Sequence, residues 1–165
     1  DGFGVDYQLT GGVPAPATFY TPATCFPWAA GPTQGLEYVA RPISYGTGTG
    51  PVIGTGGGQS VLPNPAFTVT LTGAPPGGLA FLVYGTGAAC PPFTFLGNPW
   101  LVTPWFGPLG PFPVPASGSI TLPAPLPPPG GPLACGLSVY MQWLCRAPSL
   151  VWTVSQGLEF TTSIP

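Results

Sequence analysis

The sequence predicts an all-β fold: an antiparallel β-sandwich, immunoglobulin-like or jelly-roll-like, stapled by disulfides and preceded by an extended N-terminal arm. Two observations support this prediction. The chain of 165 residues contains 26 glycines and 27 prolines, which interrupt every candidate helix. Hydrophobic residues nevertheless make up 44% of the chain, whereas disordered chains are poor in apolar residues. Short strands joined by glycine and proline turns can bury such a composition, as in sandwiches and barrels.

Strands are predicted where apolar and polar residues alternate with a period of two. The clearest examples begin at Phe67 and at Leu137. Residues 79–84 form an unbroken apolar run, which is typical of a strand buried on both faces. We interpret residues 93–115, which are rich in proline and aromatic residues, as a long loop. The alternating segments are 67–72, 119–122, 137–143 and 158–161.

The chain divides into three predicted parts. Residues 1–44 form an N-terminal segment, and residues 59–165 contain the sandwich domain. Between them, residues 45–58 (YGTGTGPVIGTGGG) lack the Lys and Ser/Thr with which a phosphate-binding loop ends. We therefore interpret this stretch as a flexible glycine-rich link.

The first ten residues, DGFGVDYQLT, have the pattern of an amphipathic strand. Phe3, Val5, Tyr7 and Leu9 share one face, and glycines or polar residues occupy the other. Two interpretations are open. The segment is either an edge strand of its own sheet or a donor strand that completes the sheet of a neighbouring subunit.

Charged residues are scarce, and this excludes several classes of function. The chain has no histidine, two basic residues and four carboxylates. Acid–base, nucleophilic and metal-dependent catalysis lack the necessary groups, so we expect no enzyme, no cofactor and no metal. A net charge of −2 provides no basic surface for nucleic acid, and no apolar run reaches the roughly 20 residues of a membrane helix. With 4% charged residues, the surface should tend to associate.

The four cysteines are Cys25, Cys90, Cys135 and Cys145. Their spacing contains no C-x-x-C pair and there is no histidine to complete a zinc site, so two disulfides in an exported protein are expected. Three pairings are possible. Antiparallel pairing of the strands at 79–84 and 137–143 would bring Cys90 near Cys135 and leave Cys25 for Cys145.

From Tyr45 onward, five motifs follow one another along the chain: YGTG (45–48), LPNPAFTVTLTGAPPGGLAFLVYG (62–85), GSITLPAPLP (118–127), LSVYMQW (137–143) and VSQGLEFT (154–161). This order of motifs resembles a β-rich domain at the C-termini of large secreted proteins of planctomycete-type bacteria. The resemblance implies an exported, extracellular or cell-surface β-sandwich, and it implies no specific activity. The sequence departs from the usual pattern where Ser155-Gln156-Gly157 replaces Ser-Asn-Gly, and no cysteine follows YGTG.

These features together predict a structural, self-assembling extracellular protein, a filament or surface-layer subunit whose partner is itself. The arm residues Phe3, Val5, Tyr7 and Leu9 are the candidates for insertion into a neighbouring copy.

The alternative is a secreted carbohydrate-binding module. In that case Trp100 and Trp105 would stack on sugar rings, and Asn98 would supply hydrogen bonds. Aromatic residues are also enriched in cores and interfaces, which favours the structural interpretation.

Overall fold

The computed structural model describes residues 42–128 and 136–163. Within these ranges the chain forms eleven β-strands and no helix. The all-β prediction is therefore confirmed. The strands are β1 Ile43–Tyr45, β2 Val52–Gly56, β3 Thr68–Thr72, β4 Leu79–Gly85, β5 Ala88–Phe95, β6 Asn98–Val102, β7 Trp105–Pro113, β8 Ile120–Pro123, β9 Ser138–Arg146, β10 Trp152–Val154 and β11 Gly157–Thr161.

The strands form two main sheets and one hairpin, and every pairing between named strands is antiparallel. The larger sheet has the order β1-β11-β9-β4-β7, with β10 also paired to β9. The smaller sheet has the order β2-β3-β8, and β5 pairs with β6. The two sheets enclose a common core, which is the arrangement of a sandwich.

The core lies between β3 of the small sheet and β4, β9 and β11 of the large one. Val69 and Leu71 project into it from β3, as their alternation with threonine predicts. Trp143 of β9 is fully buried opposite them, and its indole N–H donates to the carbonyl oxygen of Thr70 at 3.1 Å. One side chain thus both fills the core and joins the two sheets.

Strand β4 is buried on both faces, which confirms the prediction for its unbroken apolar run. Ala80 and Leu82 face the sandwich core. Phe81 and Val83 belong to a second cluster, which also contains Trp100 of the β5-β6 hairpin. The large sheet is therefore covered on its outer face as well.

The covered outer face explains a buried polar residue in β9. Gln142 alternates with the core residues of the strand and is completely buried. Its Oε1 accepts the backbone N–H of Leu101 at 3.0 Å, while its Nε2 donates to the carbonyl oxygens of Pro99 and Ser155 at 2.9 Å. Because both polar atoms of the amide have partners, these hydrogen bonds offset the cost of burying it, and the residue can hold β6 against β9.

The glycine-rich stretch 45–58 differs from the predicted link, since it contains all of β2, paired with β3. A Cβ atom on Gly54 would lie 3.0 Å from the hydroxyl oxygen of Thr70, and one on Gly56 would lie 2.7 Å from that of Thr68. These glycines therefore allow close packing within a sheet. The prediction of a flexible link was wrong here, because glycine in a strand can also mark close packing against a neighbouring strand.

The predicted long loop at 93–115 is also wrong, because it contains the end of β5 and the whole of β6 and β7. Proline opposes a central strand but is tolerated at a sheet edge. β7 is such an edge, and three of its nine residues are prolines.

Candidate functional site

An apolar groove of about 380 Å³ opens at one end of the sandwich. Its floor is the inner face of the large sheet, where Val139, Met141 and Phe160 lie side by side. Phe106 and Leu109 of β7 form one side, and residues 124–126, which follow β8, form the other. The groove is bounded by segments that are distant in sequence.

The chemistry of this groove is uniform. None of the described residues that line it is charged, and among them only Tyr84 and Thr86 contribute side-chain hydroxyls. Phe106 and Leu109 are 51% and 47% exposed, although they are large apolar residues. Such a surface can accept apolar side chains or an apolar ligand, and it offers no group for proton transfer.

An aromatic cluster continues the apolar surface around β7. Trp100 lies at its centre, with its ring centroid 5.0 Å from Phe95, 5.6 Å from Trp105 and 6.0 Å from Phe93. Trp100 is buried, whereas the three surrounding rings are each more than 40% exposed. Trp105 and Phe106 are consecutive in β7 and point to opposite faces of the large sheet, so the cluster and the groove meet only at this edge strand. We call the two surfaces together the apolar band.

The three residues of the predicted glycan platform are not all on the surface. Trp100 is buried, and its indole N–H donates to the carbonyl oxygen of Val102 at 2.9 Å. Asn98 is also buried: its Oδ1 accepts from the hydroxyl of Thr49 at 2.6 Å, and its Nδ2 donates to two backbone carbonyl oxygens. Of the three residues, only Trp105 is exposed.

The two described cysteines differ from the disulfide prediction, because both are free thiols. Cys90 is exposed, whereas Cys145 is buried in the main core. The proposed partners Cys135 and Cys25 lie outside the described residues, as does the arm with its four apolar residues. Burial raises the pKa of the Cys145 thiol to about 12, which keeps it neutral at physiological pH.

We expect the two thiols to react at very different rates in reduced, folded protein. A pKa near 12 leaves Cys145 with about a thousandfold less thiolate than an ordinary thiol, and burial blocks access to it. Iodoacetamide at pH 8 should label Cys90 and leave Cys145 unmodified until denaturant is added. Peptide mass spectrometry of timed samples measures this. Equal labelling rates in the folded protein would contradict the buried position of Cys145.

A small polar cluster lies on the outer face of the large sheet near β1. The hydroxyl of Tyr140 donates to Oε1 of Glu159 at 3.0 Å, and that of Tyr45 donates to the carbonyl oxygen of Leu101 at 2.9 Å. Burial, followed by the proximity of Tyr140 and Glu159, raises the pKa of Tyr45. The cluster holds β1 and β6 against the sheet, and it includes no activated nucleophile.

Charged groups are nearly absent from residues 42–128 and 136–163, where Arg146 and Glu159 are the only ones. No three His, Cys, Asp or Glu residues within those ranges lie close enough together to hold a metal ion. The same part of the chain contains no helix with the length and hydropathy needed to cross a membrane.

No known family model, curated protein or solved structure matches this chain. The resemblance to planctomycete-type domains therefore stays a prediction. The apolar band and the sheet edges are the features of the described residues that bear on function.

Proposed function

We propose that this protein is a structural subunit that assembles with copies of itself into an extracellular filament or surface layer. The observation that carries the proposal is the exposure of β7. Trp105, Phe106 and Leu109 in this one edge strand are each about half exposed, next to an apolar groove. Exposed apolar side chains of this size, grouped beside a groove, favour association through side-chain packing.

The charge distribution supports association as well. With Arg146 and Glu159 as the only charged residues of the described ranges, little electrostatic repulsion opposes contact between copies. The aromatic residues of the band are of the type enriched at the centres of interfaces. Burial of the band between copies would thus be favourable, because few charged groups would have to lose their hydration in the interface.

The N-terminal arm supplies a means of joining subunits in a defined order. Phe3, Val5, Tyr7 and Leu9 give it one apolar face, and a strand donated head-to-tail from copy to copy generates an open polymer.

Assembly outside the cell also agrees with the cysteine content. We propose that in the exported protein Cys145 pairs with Cys25 and Cys90 with Cys135. A thiol assay under denaturing conditions should then find no free thiol before reduction, and two or more free thiols would contradict this pairing.

The proposed function is tested by examining the purified protein for polymers. Sedimentation velocity should show mass increasing with concentration, and negative-stain microscopy should show filaments or sheets of constant width. A single monomeric species at all concentrations would contradict the proposal, as would amorphous aggregates alone.

The same experiment separates a second candidate function, carbohydrate binding. The exposed rings of Phe93, Phe95 and Trp105 are the observation that favours it, since aromatic faces can stack on sugars. A lectin should remain monomeric and bind defined glycans on an array, with loss of binding in Trp105→Ala. Polymers without glycan binding would exclude it.

A further inference from the structure

The structure distinguishes the sheet edges that can accept another strand from those that cannot. The larger sheet ends in β1 and β7, and the smaller one in β2 and β8. Strand addition requires backbone N–H and C=O groups that point away from the sheet. The register of each edge strand shows which residues have this orientation, because alternate residues in an antiparallel pair bond inward and outward.

The edge formed by β8 and its continuation is blocked by proline. The N–H of Ala124 donates inward to the carbonyl oxygen of Phe67 at 2.9 Å. The odd-numbered residues on either side of Ala124 therefore direct their backbone groups away from β3, and these residues include Pro123 and Pro125. Neither has an N–H, so Thr121 is the only outward residue within β8 that can donate to an added strand.

The edge formed by β7 is blocked in the same way. The N–H of Val114 donates inward to the carbonyl oxygen of Gly78 at 2.9 Å, so the preceding residue, Pro113, points outward. Pro108 and Pro111 likewise have no N–H to offer. At the far side of the same sheet, β1 is only three residues long. Neither edge of the larger sheet provides a continuous row of donors.

The edge formed by β2 is different. The bond from Ala124 to Phe67 shows that the odd-numbered residues of β3 direct their backbone groups toward β8. The even-numbered residues, such as Thr70, therefore bond to β2, where Thr70 pairs with Gly54. The backbone N–H and C=O groups of Ile53 and Thr55 therefore point away from β3, toward the open side of the sheet. The carbonyl oxygen of Ile53 accepts a long 3.5 Å hydrogen bond from the side-chain amide of Gln156. Among the main-sheet edges that the structure describes, β2 is the only strand of more than three residues without proline.

We propose that the outer edge of β2 is the acceptor for residues 1–10 of a second copy, which adds as a fourth strand to the small sheet and takes the place of the long Gln156 bond. This assignment rests on the proposed self-assembly. Within residues 1–41, the first 13 form the longest run without proline, and they contain the period-two pattern of a strand. Residues 11–41 could span about 100 Å if extended, so the arm is long enough to reach a neighbouring copy.

The chemistry of donor and acceptor matches. β2 carries no charge, and its glycines at positions 54 and 56 leave Val52 as the only β2 side chain on its outer face. Aromatic rings on a neighbouring strand can cover such glycines, and the arm offers Phe3 and Tyr7 for this role. The exposed Val52 lies on the same face. The added strand would thus contribute both ladder hydrogen bonds and apolar contacts.

The test places one proline at an outward position of each edge of the small sheet in the full-length chain. Thr55→Pro removes a donor from the β2 edge, and Thr121→Pro is the matched control at the β8 edge. We expect Thr55→Pro to remain folded by circular dichroism yet form no polymers, whereas Thr121→Pro assembles as the wild type does. Polymers of Thr55→Pro that match those of the wild type would overturn the assignment alone. Absence of wild-type polymers would overturn the proposed function with it.

A second measurement on the wild type decides the matter if Thr55→Pro does not fold. Hydrogen exchange should show the amides of Ile53 and Thr55 protected at least tenfold more in the polymer than in the monomer, with Thr121 unchanged. A photo-cross-linker at position 55, in a mixture of isotope-labelled and unlabelled copies, should attach to residues 1–10 of a different copy. Attachment to the arm of the same copy, to another β2, or to no arm residue would overturn the proposal.

Discussion

Replacing Trp143 by alanine should lower the free energy of unfolding by about 3–5 kcal/mol, the range found for large aromatic residues removed from cores. Trp143 is fully buried between the two sheets, against Phe112 and the small-sheet strand β3. The substitution leaves a cavity, and it also leaves the carbonyl oxygen of Thr70 without the indole N–H. Since single domains are stable by about 5–15 kcal/mol, this change alone would consume much of the total.

Urea unfolding followed by circular dichroism measures this effect, and Trp105→Ala is the matched control. Trp105 is about half exposed, and its removal should cost less than about 1 kcal/mol of unfolding free energy. A small loss for Trp143→Ala, equal to that of the control, would show that the two sheets do not pack through this residue. If the dependence of the unfolding free energy on urea is the same in both variants, the difference in their midpoints gives the difference in stability.

The strands that the sequence predicted correctly are those whose apolar residues face the sandwich core. β3 and β9 alternate apolar and polar residues because one face of each meets the apolar core, although the other face of β9 includes the buried Gln142. β4 shows no alternation because both of its faces are buried against apolar residues. The local sequence shows these strands because the burial of each residue determines whether it is apolar or polar. β2 and β7 were missed because glycine and proline there serve packing between strands and protection of an edge, which local composition does not distinguish from a loop.

The candidate site could not be predicted from sequence in the same way. Trp100 and Trp105 are separated by four residues, yet the first is the buried centre of the aromatic cluster and the second lies on its exposed rim. The groove draws residues from β4, β7, β9 and β11, so it exists only after the sheet has formed. The sequence did show the one property that the whole surface shares, the scarcity of charge.

Two charges placed on the apolar face of the arm should abolish assembly. In the full-length double variant Val5→Asp with Tyr7→Asp, two side chains that would each contribute about 1.5–3 kcal/mol on burial become charged. A loss of at least 3 kcal/mol corresponds to a rise of about 100-fold or more in the critical concentration for polymers. Pelleting assays over a concentration series measure this value.

The control places the same two charges on the opposite face of the arm, as Gly4→Asp with Gln8→Asp. Both double variants change the net charge from −2 to −4, so general repulsion affects them equally and only the face differs. If the arm is donated to a neighbour, the control assembles within a few-fold of the wild type, and the monomers of both variants melt at the wild-type temperature. If the arm packs on its own domain, Val5→Asp with Tyr7→Asp lowers the melting temperature of the monomer. Equal impairment of assembly by both variants would show that charge, and not a buried face, controls it, and the donor strand would then be wrong.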